Sequence, residues 1–325
     1  MPQFPPVTPP NPRPYLCSIC CRIAIATYAL LAAPAPALLF AQTAPAVRTI
    51  PVGTNPESVC RGFNDQLFVT LINSDEPGDG TIVRLDGDTP VVFARGFNAP
   101  KGIVFVGGLL VTADETTLWT IDSSGRRTKL AEAGDFPTPV EFLNDVAASL
   151  DGKSVLVSEM TTPTPMFDPA GERKLWKLDS PEAQKLPARG RIYRVTLAGG
   201  ITEVIPPGNP ALRFPNGVAA FGKPAAEQIF AADFFTGNIV HFENGQFHVN
   251  ASGPRGLDGL TITTDAFYGS SWTTGVIWKI DRRNQQKEVL LEGLKTAADF
   301  FFDEANKQLI VPDMVAGTLT FLPLK

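Results

Sequence analysis

The chain has 325 residues, with 28 Lys and Arg against 33 Asp and Glu and a formal net charge of −5 at pH 7. Such an evenly charged, mildly acidic chain is a poor ligand for phosphate backbones, which argues against sequence-independent nucleic-acid binding, and 44% apolar against 19% charged residues is too apolar for disorder and demands a sizeable core. The 28 Gly and 30 Pro punctuate short Val/Ile/Leu/Phe runs, an all-β pattern, and two His leave little material for a His-rich zinc site.

Residues 1–45 carry no Asp, Glu or Lys, and Arg13 and Arg22 precede an apolar run from Ile23 to Ala41. That order predicts a signal peptide over 1–45, with small residues suited to cleavage near Ala41 or at Ala44-Pro45-Ala46. Pro34 and Pro36 interrupt the run, which argues against a retained membrane span. The expected product is secreted or periplasmic, with no membrane attachment after cleavage. Cys17, Cys20 and Cys21 would leave with the signal, so Cys60 remains without a disulfide partner and reads as a small buried hydrophobe in a strand.

From residue 46 the chain repeats. A lone strand, Val47 to Val52, comes first. Then a turn leads through a polar residue, usually followed by Gly, into a strand at Asn55-Pro56-Glu57-Ser58-Val59, Ala99-Pro100-Lys101-Gly102-Ile103, Phe142-Leu143-Asn144-Asp145-Val146, Phe214-Pro215-Asn216-Gly217-Val218 and Gly256-Leu257-Asp258-Gly259-Leu260, with a weaker copy at Ala297-Ala298-Asp299-Phe300. The intervals from Glu57 through Lys101, Asn144, Asn216 and Asp258 to Ala298 are 44, 43, 72, 42 and 40 residues. The long interval predicts an insertion around 160–190 in the third repeat, a surface loop rich in Pro, Thr and charge.

In most copies a second strand ends in an acid (Asp114, Glu159, Asp233, Asp313), and a third follows a small residue, as in Gly190-Arg191-Ile192-Tyr193-Arg194. Repeats of 40 to 50 residues with four short strands are β-propeller blades. The predicted fold is an all-β, six-bladed propeller over 46–325. The sixth copy ends after its third strand, so Val47 to Val52 is expected to pair with Gly317 to Leu322 and close the ring, removing an open edge. The acids ending the second strands read as acceptors of turn N–H groups rather than as a catalytic ring. His241 falls at a repeat position otherwise filled by Arg84, Thr120, Arg194, Lys279 and Phe321, a solvent-facing profile, and His248 has no His or Cys partner at a recognisable spacing.

First strands of propeller blades line the channel, so Glu57, Lys101, Asn144, Asn216, Asp258 and Ala298 form a ring. Two carboxylates and two amides there offer only oxygen, which suits Ca²⁺ first and Mg²⁺ or Mn²⁺ next. Local turn chemistry also explains Asn and Asp before Gly, although it does not explain Glu57.

Pro56-Glu57, Leu143-Asn144-Asp145, Pro215-Asn216-Gly217 and Leu257-Asp258-Gly259 resemble, in order, the four metal-site signatures of the regucalcin/gluconolactonase (senescence marker protein-like) family of six-bladed propellers, an arrangement shared by diisopropyl fluorophosphatase and some bacterial lactonases. The resemblance implies a Ca²⁺-type ion near the channel mouth held by Glu57, Asn216 and Asp258, with Asn144 binding the metal or orienting water or substrate. It also implies hydrolysis of a sugar lactone or related ester, a small-molecule substrate. Asp258 is the expected proton acceptor. Lys101 departs from the pattern: it either binds a substrate carboxylate or repels the metal. Trp272 either forms part of the pocket wall or packs within its blade. Two other functions remain open, a non-enzymatic propeller that binds protein or carbohydrate with a structural Ca²⁺, and a phosphotriesterase using the same metal.

Overall fold

The computed structural model describes residues 46–74 and 76–324. The signal-peptide reading of 1–45 lies outside them. Six four-stranded antiparallel sheets follow one another along the chain as the blades of a propeller. The first strands of blades one to five are Pro56–Arg61, Pro100–Val106, Leu143–Ala148, Pro215–Lys223 and Leu257–Ile262. Blade six is built from Phe301–Asp303, Gln308–Asp313 and Thr318–Pro323, and its outermost strand is Arg48–Pro51, with Ile50 opposite Leu319. The sixth copy differs from expectation at its start: Ala297 makes only an isolated bridge to Asp313, and regular pairing begins at Phe301.

The second strands show why the apolar runs are nearly continuous. Successive side chains on a strand point to opposite faces, and here both faces are covered by a neighbouring blade. Phe68 enters the cluster between blades one and two while Val69 enters that between six and one; likewise Leu156 and Val157 face opposite sides of blade three. Each of the six junctions between adjacent blades has such a cluster among the described residues. Burying one large apolar side chain stabilises the fold by about 1.5–3 kcal/mol. Cys60 sits in one of these clusters, and burial followed by the nearby Asp299 charge pushes its thiol far above the usual range. Cys60 in the folded protein should therefore resist thiol reagents and label fully only in denaturant; its rapid labelling under native conditions would contradict this packing.

The third-repeat insertion is not simply a surface loop. Between Glu159 and Arg191 it carries a 3₁₀ turn, Thr164–Met166, and a five-residue helix, Pro181–Lys185, capped by the Ser180 hydroxyl. It buries Met166, Leu175 and Ala183 with Phe214, Phe234 and Phe235 in a core of its own. Three contacts pin it across the segments that enter the next three blades. Arg213 donates to the Ala183 carbonyl at 2.6 Å, Arg255 to the Trp176 carbonyl at 2.7 Å, and Arg173 to the Lys295 carbonyl at 2.9 Å. The insertion thus spans from blade three toward blade six.

Candidate functional site

Every regular first strand is broken at the same place. In blade one Pro56 pairs with Leu71 and Val59 with Val69, so Glu57 and Ser58 together face Thr70 alone. The same two-against-one bulge holds Lys101 and Gly102, Asn144 and Asp145, Asn216 and Gly217, and Asp258 and Gly259. A bulge re-aims a side chain and leaves backbone unpaired. Hydroxyls from the facing strand take up the freed N–H groups in three blades: Ser58 N donates to Thr70 Oγ1 (3.0 Å), Asp145 N to Ser158 Oγ (2.9 Å) and Gly259 N to Ser270 Oγ (2.8 Å).

The first residues of these bulges, Glu57, Lys101, Asn144, Asn216 and Asp258, form the floor of a cavity of about 630 Å³. All five are buried, none more than 6% exposed. Glu57 Oε2, Asn144 Oδ1, Asn216 Oδ1 and Asp258 Oδ1 are each buried without a hydrogen-bond partner. Leaving one polar atom in that condition costs about 1–3 kcal/mol, and the four on one floor amount to an oxygen-only donor set. The residues fit a hard divalent ion and offer no nitrogen or sulfur for a zinc-type site. Ala298, the sixth member of the repeat position, is buried but offers no donor atom.

A second acidic layer lies behind the floor. At the next repeat position stand Ser58, Gly102, Asp145, Gly217, Gly259 and Asp299. A Cβ on Gly102 would come within 2.6 Å of Asp145 Oδ1, and one on Gly259 within 2.6 Å of Asp299 Oδ1, so glycine makes room for the neighbouring acid. Asp145 accepts from the N–H groups of Val146 and Val218, both at 2.7 Å, while Ser58 donates its hydroxyl to Asp299. These bonds tie the inner strands of neighbouring blades together. Asp145 and Asp299 escaped the sequence reading as site residues, although the alternation of glycine and acid in this repeat column was there to be read.

Burial is the main cause of the raised carboxyl pKa values of Glu57, Asp145 and Asp258, followed by neighbouring carboxylates. Asp299 rises to about 6 for the same first cause. Lys101 opposes the rise at Glu57, and the Asn216 amide opposes it at Asp258. Lys101 is itself pulled down by burial, against Glu57, Asp114 and Glu115; its ammonium donates to the Ala99 carbonyl at 3.0 Å and lies 4.4 Å from the Phe142 ring centroid. Several acids converge on a floor bearing one lysine, which is a field that favours a cation.

The acids at the second-strand ends are structural. Asp114 accepts from Asn98 N and Ala99 N, Glu159 from Glu141 N and Thr161 N, Asp233 from Phe214 N and Thr236 N, and Asp313 from Lys295 N and Ala316 N. All four grip the segment entering their own blade, and Glu159, Asp233 and Asp313 also hold the following turn. The residues immediately after these strands are a different matter. Ile72, Glu115, Met160, Phe234, Trp272 and Met314, one per blade, all line the cavity above the floor. Trp272 is thus on the pocket wall and also packs, its ring centroid 6.1 Å from Phe234 and its indole N–H on Met314 Sδ at 3.1 Å.

The histidines depart from expectation. His241 and His248 are cross-strand partners whose rings stack at 4.8 Å, and His241 Nδ1 lies 2.6 Å from Asn250 Oδ1. The side chain of His241 is only 12% exposed, with Glu243 beside it, so the position is not solvent-facing in this blade. Its partner across the hairpin was invisible as a sequence spacing because antiparallel pairing, not a fixed motif, brings it there. Neither histidine lines the cavity.

Fold and floor together define a six-bladed propeller with a buried, oxygen-lined site at its centre. No family model and no curated relative matches the chain. Among solved structures it is similar to a gluconolactonase of Xanthomonas campestris, at 18% identity over 88% of this chain and 99% of that one, with a TM-score of 0.57. It is also similar to a chain of a nidogen/laminin complex, at 14% identity over 74% of this chain and 81% of that one, with a TM-score of 0.56. At these identities the likeness is one of fold.

Proposed function

We propose that the protein is a metal-dependent hydrolase of lactones or related esters, a reading that fits the regucalcin/gluconolactonase resemblance and the gluconolactonase-like neighbour. The observation that carries it is the set of four unpartnered oxygens, on Glu57, Asn144, Asn216 and Asp258, facing one cavity. These four side chains would hold the ion, with Ca²⁺ first and Mg²⁺ or Mn²⁺ as alternatives. When bound, such an ion supplies Lewis-acid polarisation of an ester carbonyl. Asp258 accepts a proton from the attacking water as the water oxygen bonds to the carbonyl carbon. The ring C–O bond then breaks, and the proton passes to the leaving alkoxide to give a hydroxy acid. Asn144, whose amide N–H₂ rests on Met160 Sδ at 3.4 Å, has its oxygen left without a partner, either to complete the ligand set or to orient water or substrate.

Lys101 is assigned to the carboxylate, carried by the substrate or formed by hydrolysis. Lys101→Ala should raise KM several-fold with little change in Ca²⁺ affinity, measured by steady-state kinetics beside calorimetric titration. Tighter Ca²⁺ binding at unchanged KM would instead make Lys101 a purely repulsive neighbour of the ion. Export to the periplasm or beyond goes with the signal-peptide reading of residues 1–45. The deciding experiment for the function is a panel of lactones, aryl esters and phosphotriesters assayed with and without Ca²⁺. Hydrolysis untouched by thorough chelation, or none across the panel, would overturn this reading.

A further inference from the structure

The cavity wall is chemically unlike its floor. Of the six residues that follow the second strands, five are apolar, Ile72, Met160, Phe234, Trp272 and Met314, and Glu115 is the exception. The insertion adds Pro163, Met166 and Phe167 to the same wall. Phe167, Phe234 and Trp272 stand 6.1 to 6.4 Å apart between ring centroids, too close to leave a gap, and form one continuous aromatic face.

Polar side chains on the wall are few, Glu115, Thr116 and Glu141, and both carboxylates already accept hydrogen bonds from the protein. The Trp272 indole N–H and the Asn144 amide both point at methionine sulfur. Glu115 accepts from Asn98 Nδ2 at 2.9 Å, and Glu141 accepts from the hydroxyls of Thr161 at 2.7 Å and Thr162 at 3.0 Å. A sugar lactone in this cavity would press most of its hydroxyls against thioethers and aromatic faces, and each hydroxyl buried without a partner costs about 1–3 kcal/mol.

We propose that the cavity takes a lactone or ester whose non-reacting part is an alkyl or aryl group rather than a polyhydroxylated ring. The reacting carbonyl would sit on the oxygen-lined floor and the apolar group against the wall and insertion. A volume of about 630 Å³ accommodates a small ring with a medium-length chain.

This inference rests on the hydrolase reading, and the test separates the two. The Ca²⁺-loaded protein is assayed on γ-lactones with unbranched alkyl substituents of increasing length and on glucono-δ-lactone. In parallel, calorimetry measures binding of the matching alkyl γ-lactams, which are inert to hydrolysis. The expected result is a kcat/KM rising about three- to four-fold per added methylene until the cavity is filled, with glucono-δ-lactone far below the longer members. The lactams should tighten in parallel. Trp272→Ser and Met314→Ser should each flatten the chain-length dependence, with thermal melting as the check on folding. Lactam affinity that rises with chain length while no lactone is hydrolysed would sustain the apolar pocket and remove the hydrolase reading. Hydrolysis of glucono-δ-lactone as efficient as that of the best alkyl lactone, or no chain-length dependence in either series, would overturn the inference.

Discussion

Asp258→Asn is expected to lower turnover by about 10² to 10⁴, the usual contribution of a positioned general base. The substitution keeps an oxygen where Asp258 Oδ1 now stands unpartnered on the floor but removes the basicity. Ca²⁺ affinity should fall much less than turnover. Glu57→Gln is the contrasting case: it lies on the same floor and should act mainly through metal affinity, recovering most of its activity at saturating Ca²⁺. Calorimetric titration of both variants beside steady-state lactonase kinetics makes the comparison. Full activity in Asp258→Asn would rule out its role as proton acceptor.

Removing the ion should leave a protein whose stability runs against the ordinary pH trend. Glu57, Asp145, Asp258 and Asp299 all have folded pKa values raised chiefly by burial. Carboxyls in the unfolded chain titrate near 4, so above that pH the native state binds more protons than the unfolded one and stability falls as pH rises through the folded values. For Asp299 that passage lies at about 6. The chelated protein should therefore melt higher at pH 5 than at pH 8. Carboxyls with lowered values, such as Asp303 paired with Arg61 at 2.6 Å, weaken the fold only at lower pH, below this window. Saturating Ca²⁺ should reverse the order, because the ligands must be deprotonated to bind. At a thousand-fold excess over Kd the ion adds about 4 kcal/mol, a rise in Tm on the order of 10 °C for a chain of this size. Calorimetric melting at pH 5, 6.5 and 8, with chelator or Ca²⁺, reads both effects. A chelated protein that melts highest at pH 8 and ignores Ca²⁺ would count against a cation at this floor.

The six-bladed architecture could be read before any coordinates because each blade solves the same local problem with the same residues. In blades one to five a proline or leucine starts the first strand and a polar residue with a second short one fills the bulge, and in most copies an acid ends the second strand to hold the incoming segment. Glu57, Asn144, Asn216 and Asp258 were legible for the same reason: their position recurs in every copy, and Glu57 there answers to no turn preference. The repeat column one place further was equally available and was passed over because its two acids, Asp145 and Asp299, stand among glycines.

What the linear order could not supply were relations between residues set by packing. His241 meets His248 only through the register of one hairpin. The insertion, polar and Pro-rich in composition, looks like solvent-exposed loop until Met166, Leu175 and Ala183 are seen buried against Phe214, Phe234 and Phe235. The wall residues, from Ile72 to Met314, are of five different types, so no motif links them; they become one surface only because six blades set the ends of their second strands around a single cavity. Local hydrogen bonding and strand periodicity are written into short stretches of sequence and so determined the blades, their bulges and the floor. Burial depends on what lies across the channel and above it, and so the tertiary structure alone decided that the floor's oxygens lack partners, that its acids are hard to ionise, and that an apolar wall stands over them.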